Sequence, residues 1–304
     1  MIRTTPALLA LALTACATRP PEWLRADTST TKALHGVHGV SGRDVWAVGE
    51  AGLALHYDGA AWSTVDSAVP GALNAVWAAA SNDVWLVGEA GTVLRWNGTR
   101  LSRFTSPTST TLKSVWGLGP NDVWLSTGSQ TWWFNGVGYA EVKSSYTFGV
   151  KDIGGTPATG LWIISNGSLY SGSAGSVSPV DVGTTDSWDL VVPTSGTSLW
   201  VVSSQSYSAD KALRLVGGRW TPVDLPKNGT DGFSLRGGFG VGDETWFVGD
   251  QSTIVHVTGN DAQVEATGGL DAQPLERVWG ASWDDVWAVG GGGVLLRRAV
   301  TTTP

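Results

Sequence analysis

The sequence predicts an all-β ring, on three observations. First, Trp returns at a nearly fixed interval, in Asp-Val-Trp at Trp46, Trp85, Trp124 and Trp287 and in degenerate copies at Trp162, Trp200 and Trp246. The intervals are 39, 39, 38, 38, 46 and 41 residues, and a repeat of about 40 residues made of short strands and turns is the period of a propeller blade. Second, the stretch around each Trp is apolar at consecutive positions, as in Val84-Trp85-Leu86-Val87, where a sheet with one wet face would alternate. Third, a segment before the first repeat matches a strand that the seventh copy lacks. Together these give a seven-bladed β-propeller of four-stranded antiparallel blades, occupying residues 22–300 as one domain.

The chain opens with Met1-Ile2-Arg3 and an apolar run from Ala7 to Leu13. The run is too short to span a bilayer and reads as a signal-peptide core. Leu13-Thr14-Ala15-Cys16 ends it and resembles the lipobox of bacterial lipoproteins. The resemblance implies cleavage before Cys16 and acylation of its thiol and amine, with residues 1–15 as signal peptide and 16–21 as a lipidated tether. Several acyl chains anchor far more durably than one. Ala17, rather than Asp, follows the cysteine, which by analogy with enterobacterial sorting points to the outer membrane, facing either periplasm or exterior. Cys16 is the only cysteine, so no intramolecular disulfide supports this exported chain.

Residues 22–28 come next. Glu22-Trp23-Leu24-Arg25-Ala26-Asp27-Thr28 matches Ala61-Trp62-Ser63-Thr64-Val65-Asp66-Ser67, Trp on Trp and Asp on Asp. The seventh copy ends in the tail Thr301–Pro304 without a fourth strand of its own, so residues 22–28 are expected to complete it and close the ring, removing open sheet edges. The repeats between follow one scheme. In the second, Leu73–Trp77, Val84–Gly88, Thr92–Trp96 and Arg100–Phe104 are the four strands. Ser81-Asn82-Asp83, Glu89-Ala90-Gly91 and Asn97-Gly98 are the turns between them, with Gly at left-handed hairpin positions.

The net charge of −7 becomes −8 when the leader carrying Arg3 is removed. An acidic body disfavours nucleic acid and peripheral binding to anionic lipid. No second hydrophobic stretch is long enough for a transmembrane helix, and the 18 Trp are expected to supply a large core.

The repeats resemble the seven-bladed propellers of the WD-repeat, YVTN and neuraminidase-type groups, and especially bacterial lipoproteins carrying Asp-Val-Trp-x-Val-Gly repeats. The resemblance covers roughly residues 20–300. It implies the fold and says little about activity. The neuraminidase-type Asp-box and the Gly-His…Trp-Asp pairing of eukaryotic WD repeats are both missing, so no functional residues carry over from either.

Few residues carry chemistry. His35, His38, His56 and His256 fall on strands without metal-ligand spacing and are expected to fill core positions; no metal or other cofactor is expected. Gly290–Gly293 precedes a strand, not a helix, and is a turn rather than a phosphate loop. Asp44, Asp83, Asp122 and Asp285 recur at one turn, where capping of the turn's own backbone is expected. Glu50, Glu89 and Asp250 occupy the turn after the second strand, on the end of the ring that also carries the links between blades. A glycosidase-type acid pair would have to come from these three. The long interval between Trp200 and Trp246 places two extra loops on that same end, Ser203–Lys211 with Tyr207, Asp210 and Lys211, and Asp224–Gly232 with Lys227 and Asp231. Loops beyond the repeat minimum are where binding residues concentrate. On the opposite end Trp283 replaces the Gly42, Ser81 and Pro120 of other blades. It is a candidate contact for sugar or protein, with packing against the first blade as the rival.

These features lead to a non-enzymatic, monomeric, membrane-anchored scaffold that binds a protein or envelope partner at the loop-rich end. A carbohydrate-binding, lectin-like propeller is the alternative, and a glycoside hydrolase or lyase a third, weaker one.

Overall fold

The computed structural model describes residues 22–142, 149–173, 175–194, 198–204, 210–227, 232–267 and 272–299. They form seven sheets of four antiparallel strands. Blade one consists of Leu34–Ser41, Asp44–Gly49, Ala54–Tyr57 and Trp62–Thr64, and each following blade repeats that meander. In blade seven the strands Leu275–Ser282, Asp285–Gly290 and Leu295–Ala299 are joined by Glu22–Arg25, with Glu22 opposite Ala299 and Arg25 opposite Leu296. The closing strand is therefore present where the sequence predicts it, and is shorter than 22–28. No helix among the described residues is long and apolar enough to cross a membrane.

The second strands are buried on both faces, as their apolarity requires. Val45, Trp46, Ala47 and Val48 are all fully buried, and so are Val84 to Val87. Each of the seven core clusters draws on two adjacent blades; one joins Trp46 and Val48 to Leu73, Val84 and Leu86. The indole N–H groups of Trp46, Trp85, Trp200, Trp246 and Trp287 find no acceptor among the described residues. An unmet buried donor costs about 1–3 kcal/mol, while burying an indole of roughly 200 Å² gains about 5 kcal/mol. Burial wins, so the Trp remains inside. Trp162 departs from the pattern: it is only half-buried and donates to the carbonyl of Thr159.

The recurring acid of the first turn does not cap its own turn. It reaches across to the third strand, to a side chain opposite the repeated Trp. Asp44 pairs with His56 at 2.8 Å, and His56 stacks on Trp46 with centroids 4.4 Å apart. Asp83 holds Arg95 through two bonds of 2.6 and 2.9 Å, and the guanidinium lies 4.8 Å above Trp85. Asp285 and Arg297 repeat this over Trp287, and Glu244 and His256 over Trp246. Asp122 instead accepts from the indoles of Trp124 and Trp133. A carboxylate two residues before the Trp thus fixes a cation or imidazole over the ring, a cation–π geometry for Arg95 and Arg297. The capping role falls to the turn between the third and fourth strands, where Asp58 and Asn97 accept backbone N–H groups.

Candidate functional site

The seven first strands surround a central cavity of about 500 Å³. Each strand starts at the loop-rich end and runs toward the opposite end, so its residues form tiers. The lower tier is the set opposite the repeated Trp: His38, Trp77, Trp116, Phe239 and Trp279, with Gly154 and Val192 in blades four and five. These rings tile head to tail. A Cβ on Gly117 would meet Trp77 at 2.4 Å, one on Gly39 would meet Trp279 at 2.8 Å, and one on Gly280 would meet Phe239 at 2.7 Å. Trp77, Trp279 and Phe239 thus each lie on a glycine of the following blade, and Trp116 donates a 3.0 Å bond to the Gly155 carbonyl. The imidazole of His38 lies 5.3 Å from Trp116 and 5.5 Å from Trp279. These rings make an aromatic floor.

His38 is buried, which pushes its pKa down to about 3. The neutral ring accepts the Ala78 N–H at Nδ1, 3.1 Å away, so its proton sits on Nε2. Above the floor, blades one, two, three and six contribute the small residues Gly36, Ala75, Ser114 and Gly237; a Cβ on Gly36 would stand 3.2 Å from Ala75 Cα and one on Gly237 2.8 Å from the Glu276 carbonyl oxygen, so the two glycines let the blades approach closely. Blades four and seven contribute Asp152 and Arg277. Burial drives the Asp152 carboxyl up to about 6, opposed by Arg277 and by the Val191 N–H that it accepts at 2.9 Å. At the rim, polar side chains tie blades one, two, four and six each to the next. His35 donates to the Leu73 carbonyl, Asn74 to the Leu112 carbonyl, Lys151 pairs with Asp189, and Arg236 with Glu276. Lys113 is exposed there and has no such partner among the described residues.

The other sequence-predicted residues divide by location. Cys16, Tyr207 and Asp231 lie outside the described residues. Glu50 and Glu89 serve their own blades: each accepts the N–H of the link residue (Ala33, Ala72) at 3.2 and 3.0 Å, while its own N–H bonds that residue's carbonyl. Blade seven shows why this acid is there. Its link residue is Pro274, which has no N–H, and the turn residue is Gly291, which has no side chain. In blade six the link N–H, from Phe233, goes instead to Asp210 at 2.6 Å, and Asp250 turns to Arg236 at 2.7 Å. Asp210 is buried, its carboxyl raised by desolvation, and it also accepts from Ser204 Oγ at 3.0 Å. It thereby fastens the bases of both long loops. Lys211 pairs with Asp186, and Lys227 is exposed. Trp283 is 53% exposed and borders Val241–Glu244 of blade six in a shallow depression. No cluster of three or more metal-ligating side chains occurs among the described residues.

Sequence reasoning missed the floor and its cup. A signal existed, since an aromatic or His stands eight residues before the Trp in blades one, two, three and seven, and seven before it in blade six.

No protein-family model matches the sequence, and no curated protein matches it either. Solved structures do. The chain is similar to YCF48 from Cyanidioschyzon merolae at 14% identity and a TM-score of 0.72, over 91% of this chain and 98% of that one. A structure titled YCF48 bound to D1 peptide aligns at 15% identity and a TM-score of 0.73, over 98% and 100% of the two chains. The WD40 propeller domain of Doa1 aligns at 10% identity and a TM-score of 0.69, over 91% and 97%. At such identities the likeness shows the seven-bladed fold.

Proposed function

We propose that this protein is a lipid-anchored envelope scaffold that binds a protein partner at the loop-rich end of its ring, and that it does so without catalysis. The observation that carries this is the fastening of both long loops by one buried carboxylate, Asp210. Ordering entropy opposes binding by free loops, and a common base fixed to the ring lowers that cost. The likeness to a propeller solved with a peptide supports the choice of a protein partner. The acids that would have served a hydrolase, Glu50 and Glu89, are occupied in holding the link backbone, which supports a non-enzymatic role. Acylation at Cys16 and placement in the outer membrane belong to the same proposal and rest on the Leu-Thr-Ala-Cys sequence.

Affinity capture with cross-linking from envelope extracts tests it. Deleting residues 205–209 while keeping Asp210, or reversing the charge in Lys227→Glu, should reduce recovery of the cross-linked partner. Unchanged recovery in both removes the loop-rich end as the binding surface. Separately, Cys16→Ser should move the protein from the membrane to the soluble fraction; a chain that stays on the membrane overturns the anchor.

A further inference from the structure

The cup above the aromatic floor is a second candidate site, and its chemistry differs from that of the loops. We infer that it binds a neutral sugar ring of the hexose class, free or as the terminal residue of a glycan. The inference stands apart from the protein-partner reading, because none of its residues belongs to the two long loops.

The floor supplies aromatic surface across the channel, in Trp116, His38, Trp279 and Phe239, with rings inclined at 40–86° to one another so that single ring faces, not one plane, are presented. A pyranose offers a face of C–H groups to such a surface and a rim of hydroxyls to its surroundings. The surroundings here alternate donors with acceptors. His38 is more than nine-tenths buried, its Nδ1 is occupied, and Nε2–H has no partner among the described residues although it lines the cavity. Arg277 uses Nη1 on the carbonyls of Arg236 and Glu276 and keeps its other donors. Asp152 and the Asn74 amide oxygen are acceptors on the wall and rim.

Ligand classes can be separated on this set. An apolar ligand would leave the remaining hydrogen-bonding atoms, the His38 Nε2–H, the other Arg277 donors and the Asp152 oxygen not held by Val191, dehydrated and unmet, which costs about 1–3 kcal/mol for each group. An anion would satisfy Arg277 and Lys113 but meet Asp152, and a cation would meet the reverse. Hydroxyls both donate and accept, so a polyol satisfies both halves. The volume of about 500 Å³ lies within the roughly 300–1,000 Å³ of small-molecule sites.

Calorimetric titration of the full chain with glucose, galactose, mannose and N-acetylglucosamine tests the site. Each sugar is supplied free and as the end residue of a short oligosaccharide, with alanine and acetate as zwitterionic and anionic probes. At least one sugar should bind. Asp152→Asn should weaken it by roughly tenfold or more, and Ser114→Trp, which fills the cup, should abolish it. Asp152→Asn removes a buried charge, so its loss of binding is not a loss of folding; a thermal melt of each variant checks this. Binding of the free sugar marks a small-molecule site, and binding of the oligosaccharide alone marks a glycan end. No binding by any sugar, sugar binding untouched in both variants, or alanine or acetate binding as tightly as the sugars would each overturn the inference.

Discussion

Glu265 is where the ring is most vulnerable to a single change. Its carboxylate lies between blades six and seven and gathers four groups. Trp23 of the closing strand donates its indole N–H at 2.6 Å, Arg298 contributes Nε at 3.2 Å and Nη2 at 3.0 Å, and His256 Nδ1 lies 2.9 Å away. Burial opposes ionisation here, but the bonds from His256, Arg298 and Trp23 overcome it and bring the carboxyl down to about 2 from an ordinary 4.5. That displacement corresponds to about 3 kcal/mol of native stability. Removing one partner of a buried ion pair gives a similar figure, about 3–5 kcal/mol, because Arg298 is 5% exposed and would be left without a counter-charge. Glu265→Ala should therefore lower the melting temperature by roughly 10 °C at neutral pH, measured by circular dichroism or calorimetry. The folded-state value is depressed, so the contribution is complete above pH 4.5 and disappears as pH falls through about 2. The gap between parent and variant should close over that window. A variant melting within about 2 °C of the parent at pH 7, or a gap undiminished in acid, would refute the assignment of Glu265 as the latch.

Three further outcomes are expected. Arg95→Met strands Asp83, which is 8% exposed, and should cost about 3 kcal/mol in denaturant titration; adding Asp83→Asn should recover part of it. Ala90 adopts φ 51° and Gly91 φ 66°, and a Cβ on Gly91 would stand 2.0 Å from the Thr108 carbonyl oxygen. Ala90→Gly should thus stabilise by about 1 kcal/mol and Gly91→Ala should destabilise by about 2 kcal/mol or more. Asp152 binds its proton more tightly in the native state, at about 6 against 3.8, so its contribution falls as pH rises between those values. Asp152→Asn should remove that fall and melt above the parent at pH 7.

The ring and its closure were legible because both depend on period. Trp23 aligning with Trp62, and a seventh repeat short of a strand, need no knowledge of contacts. The role of the recurring acid was not legible from the turn alone, where Asp44 or Asp83 looks like any turn residue. Its partner lies twelve residues on, as His56, Arg95 and Arg297 do for Asp44, Asp83 and Asp285, and only the strand register shows that the pair spans an indole. Glu50 and Glu89 looked like candidate acids because the sequence hides which N–H each must satisfy; Pro274 beside Gly291 was the available clue. The cup was hidden for another reason. Its residues come from seven separate repeats, so spacing within one repeat cannot bring Asp152, Arg277 and His38 together.

The pairing of Glu22–Arg25 with Leu295–Ala299 also orders events in time. During synthesis the first of these strands emerges before any blade exists, and its hydrogen-bonding partner emerges after every other strand of the ring. Joining them closes all seven blades into one loop, and such distant pairings form slowly. Trp23 must therefore wait, with its indole in water, until Glu265 and Arg298 have followed it. Blade seven thus cannot be completed until both segments exist, and a chain stalled before Leu295 cannot complete the circle.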